Sequence, residues 1–290
     1  MKGDVLEERL LEEGLENLNL VPGIGRKAIN LLNAYIAEIE LFNPAYGLVK
    51  VDSRRELIVK HILDSLAPLG MLRSLAAGRD GKSSADSDAA KGDAGAGSCV
   101  GRAGNVPLCE NVAQSEASGG RAGKSDANSN AAKGGDPAGS CGALRVADIG
   151  SGAGLPGIPL AIFMPEWEFT LVERMGRRSG FLQNCIALLG LGNVKVLEAD
   201  LDELVRKGSS KNSFDIIVFR AFKNIDKELI KTFSSILSPC GFIGAYKGRR
   251  ETIDKEINEI GELCKVSPIP LAVPFLNEER HLLVIQNASV

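Results

Sequence analysis

No stretch of the chain approaches the ~20 consecutive apolar residues that a membrane-spanning helix requires. The opening run, Met1-Lys-Gly-Asp-Val-Leu-Glu-Glu, lacks the apolar segment of a signal peptide. No membrane partner is therefore expected, and the cytoplasm is the expected compartment. The six cysteines (Cys99, Cys109, Cys141, Cys185, Cys240 and Cys264) include no Cys-x-x-Cys pair, and three of them fall in a stretch with few apolar side chains. Neither a zinc site nor a disulfide framework is expected from that pattern. A surplus of basic residues is also missing: the formal net charge is −3, so any hold on nucleic acid has to come from a local basic face. What the chain does have is apolar content, 44% of 290 residues, which is enough to bury a full core.

Residues 78–142 are mostly Gly, Ala, Ser, Asp and Lys and cannot offset the entropy of ordering, so they read as a disordered insertion. Within them the run from Gly81 to Asp93 recurs from Gly123 to Asp136 as an imperfect copy. A polar repeat of two copies has no apolar face to stack, which points to an expanded surface loop. The insertion divides the chain into an N-terminal helical part (1–77) and a C-terminal core (143–290).

In the N-terminal part, Ile29, Leu32, Ile36 and Ile39 recur at helical spacing over Lys27–Leu41, and Asp52 or Ser53 is placed to cap a helix over Arg54–Ala67. After the insertion, strand-like and helix-like runs alternate. Strands are expected at Leu144–Ile149, Phe169–Glu173, Val194–Leu197, Phe214–Phe219 and Phe242–Tyr246, and helices at Ser179–Leu189, Lys227–Leu237 and Glu251–Leu263. Such alternation predicts a parallel sheet covered by helices on both faces. His281–Ile285, with no helix after it, is expected as an antiparallel edge strand.

The strongest local signal is Val146-Ala-Asp-Ile-Gly-Ser-Gly-Ala-Gly-Leu-Pro-Gly157, a strand entering a glycine-rich turn and then an apolar helix, Ile158–Phe163. Gly150, Gly152 and Gly154 remove side chains where backbone has to turn and approach a nucleotide-like ligand, and the helix start offers free N–H groups. Asp148 lies two residues before the first glycine. A carboxylate there would repel a pyrophosphate but could pair with the ammonium of a methionine moiety, or simply cap the turn. Glu173 ends the next strand about 20 residues on, where an acidic residue accepts hydrogen bonds from ribose hydroxyls.

Together with His61-Ile-Leu-Asp-Ser-Leu66, Gly154-Leu-Pro-Gly-Ile-Pro159, Arg177-Arg178, Phe181-Leu182, Leu191-Gly-Asn-Val194, Arg220-Ala-Phe222, Lys247-Gly248 and Glu279-Arg-His-Leu-Leu-Val-Ile285, this loop resembles the bacterial 16S ribosomal RNA guanine-N7 methyltransferases, the glucose-inhibited division protein B family. The resemblance covers nearly everything outside the insertion. It implies a Rossmann-like, class I S-adenosylmethionine-dependent methyltransferase: an α/β fold with a mostly parallel, seven-stranded sheet and N-terminal helices. It also implies S-adenosylmethionine as cofactor and 16S ribosomal RNA or the small ribosomal subunit as partner, with a monomer expected. By the same resemblance Gly150 and Leu155 line the donor pocket, Glu173 holds the ribose, Leu201 and Asp202 flank the adenine, and Arg220 belongs to the donor site. The chain departs from the family pattern at Phe42-Asn-Pro-Ala-Tyr-Gly-Leu-Val49, at Asp200 and at Cys240.

Guanine N7 carries an in-plane lone pair and no proton, so methylating it needs alignment and no general base; no catalytic side chain is expected. Amine-directed enzymes place an Asn/Asp-Pro-Pro-aromatic loop where this chain has Phe219-Arg-Ala-Phe-Lys223. Carbon-5 methylation needs a cysteine nucleophile, and Cys240 sits in a turn leading into a strand. RNA-facing candidates fall in three clusters: Arg54, Arg55, Lys60 and His61; Arg174, Arg177 and Arg178; Lys247, Arg249 and Arg250. Each cluster also fits an ordinary solvated helix end, and His61 a satisfied helix histidine.

Arg220 ends an apolar strand and needs a partner, which could be Asp148, Asp202 or the target base; Arg220→Ala is expected to lower activity without unfolding. The alternative readings are a methyltransferase for another RNA or a small molecule, a non-catalytic RNA-binding module, and a nicotinamide-dependent dehydrogenase. For the last, neither of the two histidines, His61 and His281, follows a hydride-transfer pattern.

Overall fold

In the computed structural model, residues 2–20, 25–80, 143–206 and 212–287 are described. Residues 81–142, which carry nearly all of the expected insertion, lie outside them, whereas residues 78–80 end a helix.

The described regular elements of the N-terminal part are all helical: α1 (Lys2–Asn17), α2 (Gly25–Tyr46), α3 (Arg54–Leu57), a π-helical segment (Ile58–Leu63), α4 (Asp64–Leu66) and α5 (Leu69–Asp80). Ser53 is the cap of α3, its hydroxyl accepting from the Glu56 N–H at 3.2 Å. Asp52, one residue before the cap, instead donates its N–H to the Glu56 carboxylate at 2.9 Å. From Arg54 to Leu66 the chain stays helical, and the π-helical turn in its middle rotates Lys60, His61 and Asp64 relative to a regular helix.

The C-terminal part contains β1 (Arg145–Ile149), α6 (Gly157–Phe163), β2 (Glu168–Glu173), α7 (Gly176–Leu189), β3 (Val194–Glu198), α8 (Leu201–Arg206), β4 (Phe214–Arg220), α9 (Lys227–Ile236), β5 (Leu237–Lys247), α10 (Arg250–Ile260), β6 (Cys264–Pro270) and β7 (His281–Asn287). The strands form one sheet in the order β3-β2-β1-β4-β5-β7-β6, with β1 to β5 parallel and β7 antiparallel to both its neighbours. The expectation of seven strands, mostly parallel, is borne out.

The expected edge position of His281–Ile285 is not. β7 lies inside the sheet, and β6 forms the edge. Pro268 and Pro270 conceal β6 in the sequence, and proline is tolerated there because an edge strand has unpaired N–H positions. Helix α8 was also missed, being only six residues long. Cys240 lies within β5, not in a turn before it.

The sheet buries apolar side chains on both faces. One core combines the N-terminal helices with α6 and α7 over β1 and β5, through residues such as Tyr35, Ile62, Leu72, Ile158, Phe181 and Tyr246. The other packs α8, α9 and α10 against the opposite face through Leu204, Phe233 and Ile253. The stretches on either side of residues 81–142 thus form one compact unit. Two buried phenols tie the helices to the rest: the Tyr35 hydroxyl donates to the Ala153 carbonyl at 2.6 Å, and the Tyr246 hydroxyl to the Ser65 carbonyl at 2.9 Å.

Candidate functional site

The glycine-rich loop sits at the carboxyl end of β1, where open α/β sheets bind ligands. Gly150 has φ +72°, and its N–H and that of Ser151 both donate to the Val172 carbonyl of β2, at 2.9 and 3.1 Å. Asp148 is buried. Its Oδ2 accepts from the Gly157 N–H at 3.0 Å and the Ser151 hydroxyl at 2.7 Å, so the carboxylate does cap the start of α6. Among the described residues, its Oδ1 is buried with no hydrogen-bond partner. Burial lifts this carboxyl to about 6, against the pull of the bonds from Ser151 and Gly157.

Glu173 is also buried, and accepts from the Gly152 N–H and the Met175 N–H, each at 2.9 Å. Leu155 is buried beside the loop, and Leu201 and Asp202 form the first turn of α8, one buried and the other exposed. S-adenosylmethionine fits these residues: the Asp148 Oδ1 without a partner calls for a cationic donor such as an ammonium, and the Glu173 carboxylate borders the glycine turn at Gly152.

Next to the loop, at the ends of β4 and β5, opens a cavity of about 460 Å³. Ala221, directly after β4, has φ +50°, a left-handed backbone that costs an alanine energy, and Phe222 follows it. The Phe222 ring packs on Gly150 so closely that a Cβ there would stand 2.6 Å from it. The cavity wall carries five cations, Lys60, Arg220, Lys223, Lys247 and Arg280, against one carboxylate, Asp64. Lys60, Arg220, Lys247 and Arg280 each pair with a carboxylate, Glu56 or Glu278, Asp64, Glu256, and Asp64 or Glu278 respectively.

The structure decides the partner of Arg220, and it is neither Asp148 nor Asp202. Its guanidinium donates to Asp64 Oδ2 at 3.2 Å, to the Lys60 carbonyl at 3.3 Å and to His61 Nδ1 at 2.7 Å, all on the π-helical segment or the residue after it. Arg280 flanks the same carboxylate at 3.4 Å. Burial raises the Asp64 carboxyl while the two arginines pull it down. His61 is driven the other way, to about 3, by burial and by Arg220.

The expected RNA-facing groups divide. Arg55, Arg174, Arg177 and Arg249 are exposed. Arg54 pairs with Glu40, Lys60 with Glu56 and Glu278, and Arg250 with Asp254. Arg178 is half-buried and donates to the Gly47 carbonyl, while Lys247 is nearly buried against Glu256 at 2.7 Å and lies over the Phe219 ring. Tyr35 was not picked out from sequence, and Phe222 entered only within the Arg220-Ala-Phe222 run. Asp64 was visible only as part of the His61–Leu66 run, because its partner lies 156 residues away. Cys240 is exposed at the start of β5, the end of the sheet opposite the glycine loop, so it cannot act as a nucleophile there.

A parallel sheet that turns antiparallel at β7, with a glycine loop after β1 and an acidic end to β2, defines a class I methyltransferase, whose cofactor is S-adenosylmethionine. The chain belongs to the rRNA small subunit methyltransferase G family, whose model matches residues 138–283. It is 31% identical to the ribosomal RNA small subunit methyltransferase G of Treponema denticola, over 98% of this chain and 96% of that one. It is 29% identical to the enzyme of the same name from Burkholderia vietnamiensis, over 97% and 92%. Among solved structures it is similar to a predicted O-methyltransferase from Agrobacterium tumefaciens, with a TM-score of 0.42 and 24% identity over 50% of this chain and 74% of that one.

Proposed function

We propose that this enzyme methylates N7 of a guanine in 16S ribosomal RNA of the small subunit, with the base entering the cavity beside Phe222. The observation that carries the reading is the chemistry of that cavity. It is basic, it offers an aromatic ring at the glycine loop, and its titratable groups are engaged: Asp64 by two arginines, His61 by Arg220. A target nitrogen with a free lone pair needs no proton removed, whereas an amine or hydroxyl acceptor does.

Bound S-adenosylmethionine supplies an electrophilic methyl on a sulfonium. The N7 lone pair forms the new C–N bond as the C–S bond breaks, its electrons return to sulfur, and no proton leaves. In this proposal Asp148 Oδ1 takes the ammonium of the donor, Glu173 its ribose hydroxyls, and Leu201 and Asp202 border its adenine. Phe222 stacks on the target base, which has to leave its own stack to reach the cavity. The exposed Arg55, Arg174 and Arg177 hold phosphates outside it.

Every residue of the loop and the cavity comes from one compact unit, which supports a working monomer. No helix among the described residues is long and apolar enough to cross a membrane, and we place the reaction in the cytoplasm.

Transfer of label from methyl-tritiated S-adenosylmethionine to small subunits, to naked 16S RNA and to a no-RNA control tests the reading. Digestion should yield 7-methylguanosine. Label in any other nucleoside would overturn the N7 assignment.

A further inference from the structure

The tautomer of one histidine lining the cavity, His61, is fixed by its neighbour Arg220. A guanidinium can only donate, so the 2.7 Å contact between Arg220 and His61 Nδ1 makes Nδ1 an acceptor. A neutral imidazole accepting at Nδ1 carries its proton on Nε2. Burial and the Arg220 charge keep the ring neutral down to about 3, so this tautomer persists at every working pH. Among the described residues Nε2 has no hydrogen-bond partner, and it is not a fully buried atom. His61 lines the cavity, as does Phe222, whose ring touches Gly150. A fixed N–H donor, free of any partner among the described residues, thus belongs to a side chain that lines the cavity beside the glycine loop.

On that side of a purine, N7 has one neighbour on the same edge. In guanine it is O6, an acceptor; in adenine it is an amino group, a donor. A donor held in place accepts the first and opposes the second, and a site that leaves its own polar group unpaired rejects the wrong substrate strongly. We propose that His61 determines specificity for guanine by donating its Nε2–H to O6 of the base whose N7 is methylated. The inference rests on the guanine-N7 reading above. Asp64 and Arg220 act through His61, since Arg220 fixes the tautomer and Asp64 fixes Arg220.

The test compares small-subunit RNA carrying guanine at the methylated position with the same RNA carrying 2-aminopurine, which keeps N7 and lacks O6. Wild type should prefer guanine on the order of 100-fold in kcat/KM. His61→Asn retains an acceptor for Arg220 near the Nδ1 position but cannot extend a donor to the base. Its preference should fall to within about fivefold, chiefly through loss on guanine.

An equal loss on both substrates would show that His61 only positions Arg220, and would overturn the proposal; so would an unchanged preference. His61→Ala serves as the second variant, with melting temperature and S-adenosylmethionine binding as fold controls. The nucleoside made by wild type is read in the same assay. A product other than 7-methylguanosine would sink the underlying reading separately, whatever the variants do.

Discussion

Arg220, at the end of β4, and Asp64, just after the π-helical turn, are 156 residues apart in the chain and meet as an ion pair at 3.2 Å with the carboxylate only 4% exposed. A buried charge pair of this kind adds little net stability, but breaking one side of it leaves a charge uncompensated. The contact changes what the site residues are expected to do when replaced.

Arg220→Ala should remove activity and also destabilise the protein by about 3 kcal/mol, the low end for a broken buried pair because Arg280 still flanks Asp64. From sequence alone the same variant was expected to fold normally. Adding Asp64→Asn should recover part of the lost stability without restoring transfer. Denaturant melts of the single and double variants check this; equal melts for wild type and Arg220→Ala would refute it.

The Asp148 carboxyl is raised to about 6 by burial, so the folded protein holds this proton more tightly than the unfolded chain does. Its contribution therefore favours folding at low pH and is lost as pH rises from the ordinary carboxylate range through about 6. Asp148→Asn should raise the melting temperature at pH 8, with the gain shrinking towards pH 5. The same variant should bind S-adenosylmethionine at least about tenfold more weakly, because the amide carries no charge for the ammonium. In wild type, donor affinity should fall below pH 6 as the carboxylate protonates. Calorimetric titration across pH 5 to 8 decides the point, and His61 adds no step in that range.

Gly157→Ala should weaken both stability and donor binding. An added Cβ would stand 2.7 Å from Asp148 Oδ2 and 2.4 Å from a Leu171 methyl, both in the packed interior. We expect a loss of about 1–3 kcal/mol. A variant with wild-type melting temperature and donor affinity would mean the loop relaxes more freely than its packing suggests.

RNA binding should be strongly salt-dependent despite the net charge of −3, because the cations that matter are local. Arg177→Ala should raise the KM for small subunits and reduce the slope of log affinity against log salt by about 1. Donor affinity measured without RNA separates this from a folding defect.

Replacing residues 81–142 by a flexible Gly/Ser linker should leave methyl transfer to small subunits intact, since the described residues on either side pack into one unit without it. Loss of transfer, with the melting temperature kept, would assign the segment a role in substrate binding.

Much of this protein could be read from its sequence, for a definite reason. The strand-loop-helix around Asp148–Gly157 is specified locally: only glycine takes the φ of +72° at position 150 without strain, and apolar runs of strand length before it and helix length after it fix the element types. Glu173 follows from the same unit, because the next parallel strand has to end beside the loop. The alternation of strand-like and helix-like runs from residue 143 onward signals the parallel sheet.

Other features had no local signal. The edge strand β6 carries two prolines and no clean alternation, so only its pairing with β7 reveals it. Arg220 was recognisable as a charge in need of a partner and His61 as a candidate, but their contact, and those of Asp64 and Tyr35, join stretches more than 100 residues apart in the chain.

The division follows the range of the forces involved. Backbone conformation and apolar periodicity act over a few residues, so the sequence by itself determined the glycine loop, the fold class and the family. Ion pairing, the tautomer of His61 and the raised carboxyl of Asp148 depend on burial and on neighbours distant in sequence. Those the tertiary structure alone decided, because burial strengthens each charge and hydrogen bond and selects the partner that must satisfy it.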